Sequence, residues 1–324
     1  MGVMPFLVSI NPLDSLLNQV SKWFQTAIID ISLDLYEGLF NKLKEIVSSD
    51  LSNIIPKSVP ETAYRAVGSA DGTLGPIYEV IKRMSDECIL PIAVVLFSFL
   101  MTYELVTTFL NENKVVENSP ELIIKWTGKY LISMLLITYS FEIINVIFDF
   151  TTSAAVAMTN MISSDGAKSA FNDSNFETMR TAAKNLYDGE SSTLGNAISF
   201  WFAAFIASIC AKLLYPVTQF IIVCRFVYIY MHMLMAPMAV PLMPLKQEWG
   251  QIGTNYIKTM AAFGVQLILI VAVYAIFFGY MSTAFTTMYS DWDKLSTQLI
   301  LVSFILIVAL FKTESIAKSI VQAH

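Results

Sequence analysis

Histidine is nearly missing from this chain: 324 residues contain two, His232 and the C-terminal His324. The patterns that carry nucleotide or hydrolytic chemistry are missing as well, with no P-loop, HExxH, GxSxG or GxGxxG. That argues against an ATPase or a histidine-dependent hydrolase. No catalytic residue and no cofactor is expected, and energy for any work has to come from a partner or an ion gradient. The three cysteines, Cys88, Cys210 and Cys224, lie in apolar runs without paired or CxxC spacing, so neither a disulfide framework nor a metal site is expected. Charge is scarce, at 14% of residues against roughly a quarter in an ordinary soluble domain. It sums to −6, which removes the basic patch that strong nucleic-acid binding needs. The basic start of a cleavable signal peptide is also lacking, because the first cation is Lys22; the expectation is a retained N-terminus.

What is present is apolar: 55% of the residues, gathered into long runs. Long uncharged runs dissolve in a bilayer only as helices that satisfy their own backbone, so the fold class read here is an all-α, polytopic membrane protein. Residues 1–83 read as an amphipathic helix and a turn-rich connector. From Asn11, a capping residue followed by Pro12, steps of three and four place Leu16, Val20, Trp23, Phe24, Ile28, Ile31 and Leu35 on one helical face. Charges interrupt this run too often for a span, so the helix is expected on a membrane surface or against partner helices. Residues 84–150 hold the first two spans, about 84–110 and from about 122 into the 150s. Residues 151–195 form a polar loop. Residues 196–324 form a C-terminal membrane region with a proline-broken segment and a tail. Its stretch 196–236 would measure about 60 Å as a helix, twice the hydrocarbon thickness, and is either one long helix or two crossings joined by a bend. Two further runs, 259–290 and 295–311, complete a count of five or six spans. Positive charges divide seven against six between the two sides of a five-span arrangement, so orientation is not decided by charge.

Six polar residues lie where lipid should be: Glu104, Glu142, Asp149, Lys212, Arg225 and His232. Each ion would cost about 2.5 to 3.5 kcal/mol at mid-bilayer, so these side chains pair, snorkel, line a polar path or become shielded in an assembly. Arg225 is the deepest. Glu142 or freed backbone carbonyls are its expected structural partners, set against a pore-lining role. For His232 a core hydrogen-bonding role outweighs a metal or proton-relay role, and the Met231–Met235 run reads as interface filling rather than as a soft-metal site. Pro216, Pro237, Pro241 and Pro244 are hinge candidates, because proline removes a helical donor and frees carbonyls that need protein or water.

The text from Arg225 to Ala236, then Pro237-Met-Ala-Val-Pro241, Glu248-Trp-Gly-Gln-Ile-Gly-Thr-Asn-Tyr-Ile-Lys258 and the closing Ala309–His324, resembles the TrbL-like polytopic subunits of conjugative type IV secretion systems carried by Gram-positive mobile elements. The resemblance implies an integral channel or scaffold subunit that assembles with itself, as a homo-oligomeric ring, and with other secretion-system membrane subunits. Cytoplasmic ATPases, including a coupling protein, would supply energy. The implied cargo is relaxase-linked single-stranded DNA or protein, with DNA a transient partner and the lipid bilayer a permanent one. It also implies five spans in the cell membrane, an extracytoplasmic N-terminus and central loop, and a cytoplasmic C-terminus. One departure stands out: Tyr228 occupies the place where an acidic partner for Arg225 is expected. An independent secondary transporter, using Glu142, Arg225 and His232 at a broken helix, is the alternative.

Overall fold

The computed structural model describes residues 12–48, 75–111, 119–164, 173–187, 194–245, 247–288 and 292–322. Among them every element is helical and no strand occurs. The elements are α1 (Pro12–Ser48), α2 (Gly75–Met84), a π-helical turn (Ser85–Ile89), α3 (Leu90–Asn111), α4 (Ser119–Thr138), α5 (Ser140–Ser164) and α6 (Asp173–Tyr187). They continue with α7 (Leu194–Leu234), the short α8 (Ala236–Ala239), a 3-10 turn (Val240–Leu242), α9 (Gln247–Met288) and α10 (Trp292–Val321). The cap expected at Asn11, most of the connector after α1, and His324 lie outside the described residues.

Among the described residues, five stretches are long and apolar enough to cross a membrane: Ile77–Thr108, Ser140–Met161, Leu194–Leu234, Glu248–Met281 and Ile300–Val321. The protein is therefore a multi-pass helical membrane protein with five candidate spans. Three details differ from the sequence reading. The second expected span divides at Tyr139, and α4 is not among the five. Backbone bonding nonetheless carries across the division, through Tyr139 N–H to Leu135 C=O (2.9 Å) and Ile143 N–H to Tyr139 C=O (3.0 Å). The expected polar loop is helical at both described parts, because α5 runs to Ser164 and α6 occupies Asp173–Tyr187. The ambiguous stretch 196–236 is one 41-residue helix, α7, which continues through Pro216.

The polar side chains inside these helices are mostly self-satisfied. Ser98, Thr102, Thr107, Thr138, Thr151 and Thr159 each donate to a carbonyl one turn earlier, which removes the cost of carrying a hydroxyl into lipid.

The chain divides into two compact units. One comprises Met1–Ser48, Ser164–Pro216 and Phe277–Ile307. Its core joins Ile29, Leu33, Tyr36 and Phe40 of α1 to Phe176 and Ala183 of α6 and Phe200 of α7, all buried. Phe40 packs at a tilt against Phe176, 5.0 Å between ring centroids, and Tyr36 likewise against Phe200 at 5.5 Å. Beside this apolar seam, Arg180 reaches Glu37 (3.2 Å) and Asp34 (3.8 Å), and Lys184 reaches Asp30 (3.0 Å).

The other unit comprises Ser49–Ser163, Val217–Ile276 and Val308–His324. One core cluster joins Phe97, Leu100 and Met101 of α3 to Ile137 of α4 and to Leu242 and Leu245 of the segment after α7. Trp126 donates its indole N–H to the Met101 carbonyl (3.0 Å) and stacks on Tyr130.

Candidate functional site

The second unit holds both the deepest charge and the main backbone break. Arg225 sits in the C-terminal third of α7 and is only 4% exposed. Its Nε–H donates to the Phe263 carbonyl of α9 at 2.7 Å. The guanidinium carbon lies 5.9 Å from the Phe148 ring of α5 and 5.6 Å from the Phe226 ring, within cation–π range. Three membrane helices thus meet at one cation, and among the described residues no carboxylate pairs with it. Of the two partners expected for Arg225, the carbonyl is present and Glu142 is not: Glu142 is exposed on α5. Tyr228 stacks on Phe263 at 6.3 Å, so this position contributes a ring to the junction rather than a charge.

The helices can approach this closely because one of them lacks a side chain. A Cβ on Gly264 would stand 2.7 Å from the Thr151 side chain of α5, so α5 and α9 touch where the glycine leaves room. One turn beyond Phe263 lies the buried Gln266, whose Oε1 has no hydrogen-bond partner.

The proline-rich segment starts one residue after α7 ends. Met235 N–H bonds to the His232 carbonyl (2.9 Å), and Met238 and Ala239 N–H both bond to the Met235 carbonyl. Pro237 and Pro241 are buried in this break. The carbonyls loosened there are taken up by other elements: Tyr256 OH donates to His232 C=O (2.7 Å), and Ser85 Oγ donates to Leu234 C=O (3.3 Å). Ser85 belongs to the π-helical turn, so two irregular stretches of backbone from distant parts of the sequence meet. The N-terminal part of α9 closes on the same segment through two glycines three residues apart. A Cβ on Gly253 would fall 2.6 Å from Met243 N and 2.9 Å from Ala239 O, and one on Gly250 would overlap the Leu245 carbonyl.

The remaining polar candidates are dispersed. His232 bonds the Tyr228 carbonyl through Nδ1 (2.8 Å) and lies edge-on to Phe263 at 5.4 Å. Glu104 pairs with Lys129 of α4 at 2.7 Å, while its buried Oε2 has no hydrogen-bond partner. Asp149, Lys212 and Pro216 are exposed, as Glu142 is, and Pro244 is half-buried. The structure therefore brings Arg225 and His232 to the α7–α9 seam but leaves Glu142, Asp149 and Lys212 apart from it. Among the described residues no three of histidine, cysteine, aspartate and glutamate gather as metal ligands. Residues that sequence reasoning did not single out for this junction are Ser85, Gly250, Gly253, Gly264 and Gln266. Only the i, i+3 spacing of Gly250 and Gly253 was a readable signal of close helix approach.

Residues 55–237 match the family of TrbL/VirB6 plasmid conjugal transfer like proteins. The chain belongs to this family. No curated protein and no solved structure matches it. The family match contains the first three candidate spans, Arg225 and Pro237. It ends where α8 begins, so the Glu248–Lys258 and Ala309–His324 stretches of the earlier resemblance fall beyond it.

Proposed function

We infer that this TrbL/VirB6-like protein is a channel and scaffold subunit of a conjugative type IV secretion system of a Gram-positive mobile element. It forms a homo-oligomeric ring with other membrane subunits around it and passes relaxase-linked single-stranded DNA, or protein, across the cell membrane. It is not itself an enzyme, and cytoplasmic ATPases, with a coupling protein among them, drive the transfer. The observation that carries this reading is the family match over α5, α7 and Arg225.

The charge pattern supports a conduit. An acidic chain with a single deep cation does not grip phosphates along its length, so DNA could pass without being retained. The buried guanidinium gives α5, α7 and α9 one shared fixed point. A subunit of a ring needs such a point if its helices are to keep their relation while cargo moves. In this reading the chain crosses five times, with the N-terminus and α6 extracytoplasmic and the C-terminus cytoplasmic.

The experiment is complementation of a deletion strain with the wild-type gene and with Arg225→Ala and Arg225→Lys, scoring DNA transfer together with assembly of cross-linked oligomers. Wild type restores transfer, and both variants fall short. Unimpaired transfer by both variants would remove the role given to Arg225. A purified protein that stays monomeric and moves a small solute in liposomes would replace the channel subunit by a self-sufficient transporter.

A further inference from the structure

We propose that the N-terminal half of α1 docks on a lipid bilayer surface through an apolar stripe that faces away from the protein's own core. This inference is separate from the transfer role and needs only the membrane spans.

At 100° per residue, Leu16, Leu17, Val20, Trp23, Phe24 and Ile31 fall within an arc of about 120°. All six are exposed, Trp23 by 67%. The residues of α1 that pack inside the unit, such as Ile29, Tyr36 and Phe40, centre about 160° away. The helix therefore carries two apolar faces, and among the described residues only one of them is packed against. From residue 16 to residue 24 every position is exposed, so the first turns of α1 extend beyond the unit's own packing.

Three observations select lipid over a protein partner. The arc is broad, as suits a helix half-sunk in an interface, whereas a helical partner needs only the narrower two-position seam. Trp23 stands at its edge, where an indole anchors at headgroup level. In the N-terminal half of α1 the acidic positions Asp14 and Asp30 lie off the stripe, with Asp30 paired to Lys184; further along, Asp34 falls within the arc and reaches Arg180, as Glu37 does from outside it. Those pairs fix the rotation of α1, and their two cations offset part of the charge that would repel an anionic leaflet. Between Pro12 and Ala27 the only ions are Asp14 and Lys22, so binding would come from apolar burial rather than from attraction to headgroups.

The test uses the full chain in proteoliposomes, on a background of Cys88→Ser, Cys210→Ser and Cys224→Ser. An environment-sensitive fluorophore is attached at Val20→Cys on the stripe, or at Asn18→Cys on the opposite face. Expected are a blue-shifted emission at position 20 that lipids carrying an acyl-chain nitroxide quench, and a water-like, unquenched emission at position 18. Equal quenching at both positions would overturn the proposal, as would none at either. Disulfide cross-linking between copies through Val20→Cys, without quenching, would assign the face to a second copy instead. Circular dichroism of each labelled protein confirms that helix content is unchanged.

Discussion

Arg225 is held by a carbonyl and two aromatic rings, none of which carries a full negative charge. A buried cation on such terms costs the fold free energy, so stability is a poor reason for its presence. Arg225→Met, similar in length and uncharged, is expected to keep or raise the thermal unfolding temperature in detergent while DNA transfer falls. Arg225→Lys keeps the charge but has no planar Nε donor for Phe263, so it is expected to fail as well. Concurrent loss of stability and transfer in the methionine variant would instead make the residue structural. The Glu104–Lys129 pair obeys a different balance, because each ion there has a partner. Lys129→Met strands a mostly buried carboxylate and is expected to cost about 3 to 5 kcal/mol. Glu104→Gln in the same chain should recover most of that loss, as read from paired unfolding curves.

Among the elements, α9 shows how glycine placement sets the architecture. A methyl group on Gly253 meets main-chain atoms of Met243 and Ala239, which cannot swing aside. Gly253→Ala is therefore expected to destabilise by about 1 to 3 kcal/mol and to loosen the proline-rich turn against proteolysis. Gly264→Ala meets only the Thr151 side chain, so adding Thr151→Ala should relieve it; a double variant no better than the single one would show that α5 and α9 are kept apart by something else. The position of the glycines was legible in the sequence, but their purpose was not. The atoms they avoid belong to residues 239–245, and no local pattern places that backbone against α9. Likewise α1 was legible as amphipathic, yet a single 3.6-residue period picked out one stripe, whereas Ile29, Tyr36 and Phe40 make a second on the other side. The division at Tyr139 had no proline or glycine to announce it. Arg225 was the easiest residue to find, because a lone charge in a long apolar run needs no partner information to be noticed.

For the whole molecule, the seam between α1 and α6 bears on topology. The candidate spans Ile77–Thr108 and Ser140–Met161 lie between these two helices in sequence, and an even number of crossings returns the chain to the side it left. The contacts from Asp30, Asp34 and Glu37 to Arg180 and Lys184 agree with that count. Reporters fused after Asn175 and at the C-terminus are expected on opposite faces of the membrane, and a reporter ahead of α1 on the same face as the first. Finding the Asn175 and C-terminal reporters together would require an even number of crossings after α6, for which the 41-residue α7, crossing twice with a bend, is the available helix; a crossing by α4 would instead separate the reporter ahead of α1 from the one after Asn175.

The lack of a counter-ion at Arg225 among the described residues also has an electrical consequence. A cation paired with an acid would be a dipole, nearly blind to the membrane potential, whereas a lone one is a gating charge. Carrying it across the full field is worth about 2.3 kcal/mol per 100 mV. Any rearrangement that shifts α7 along the membrane normal would therefore be biased by the energised state of the cell, with no voltage sensor added to the machine.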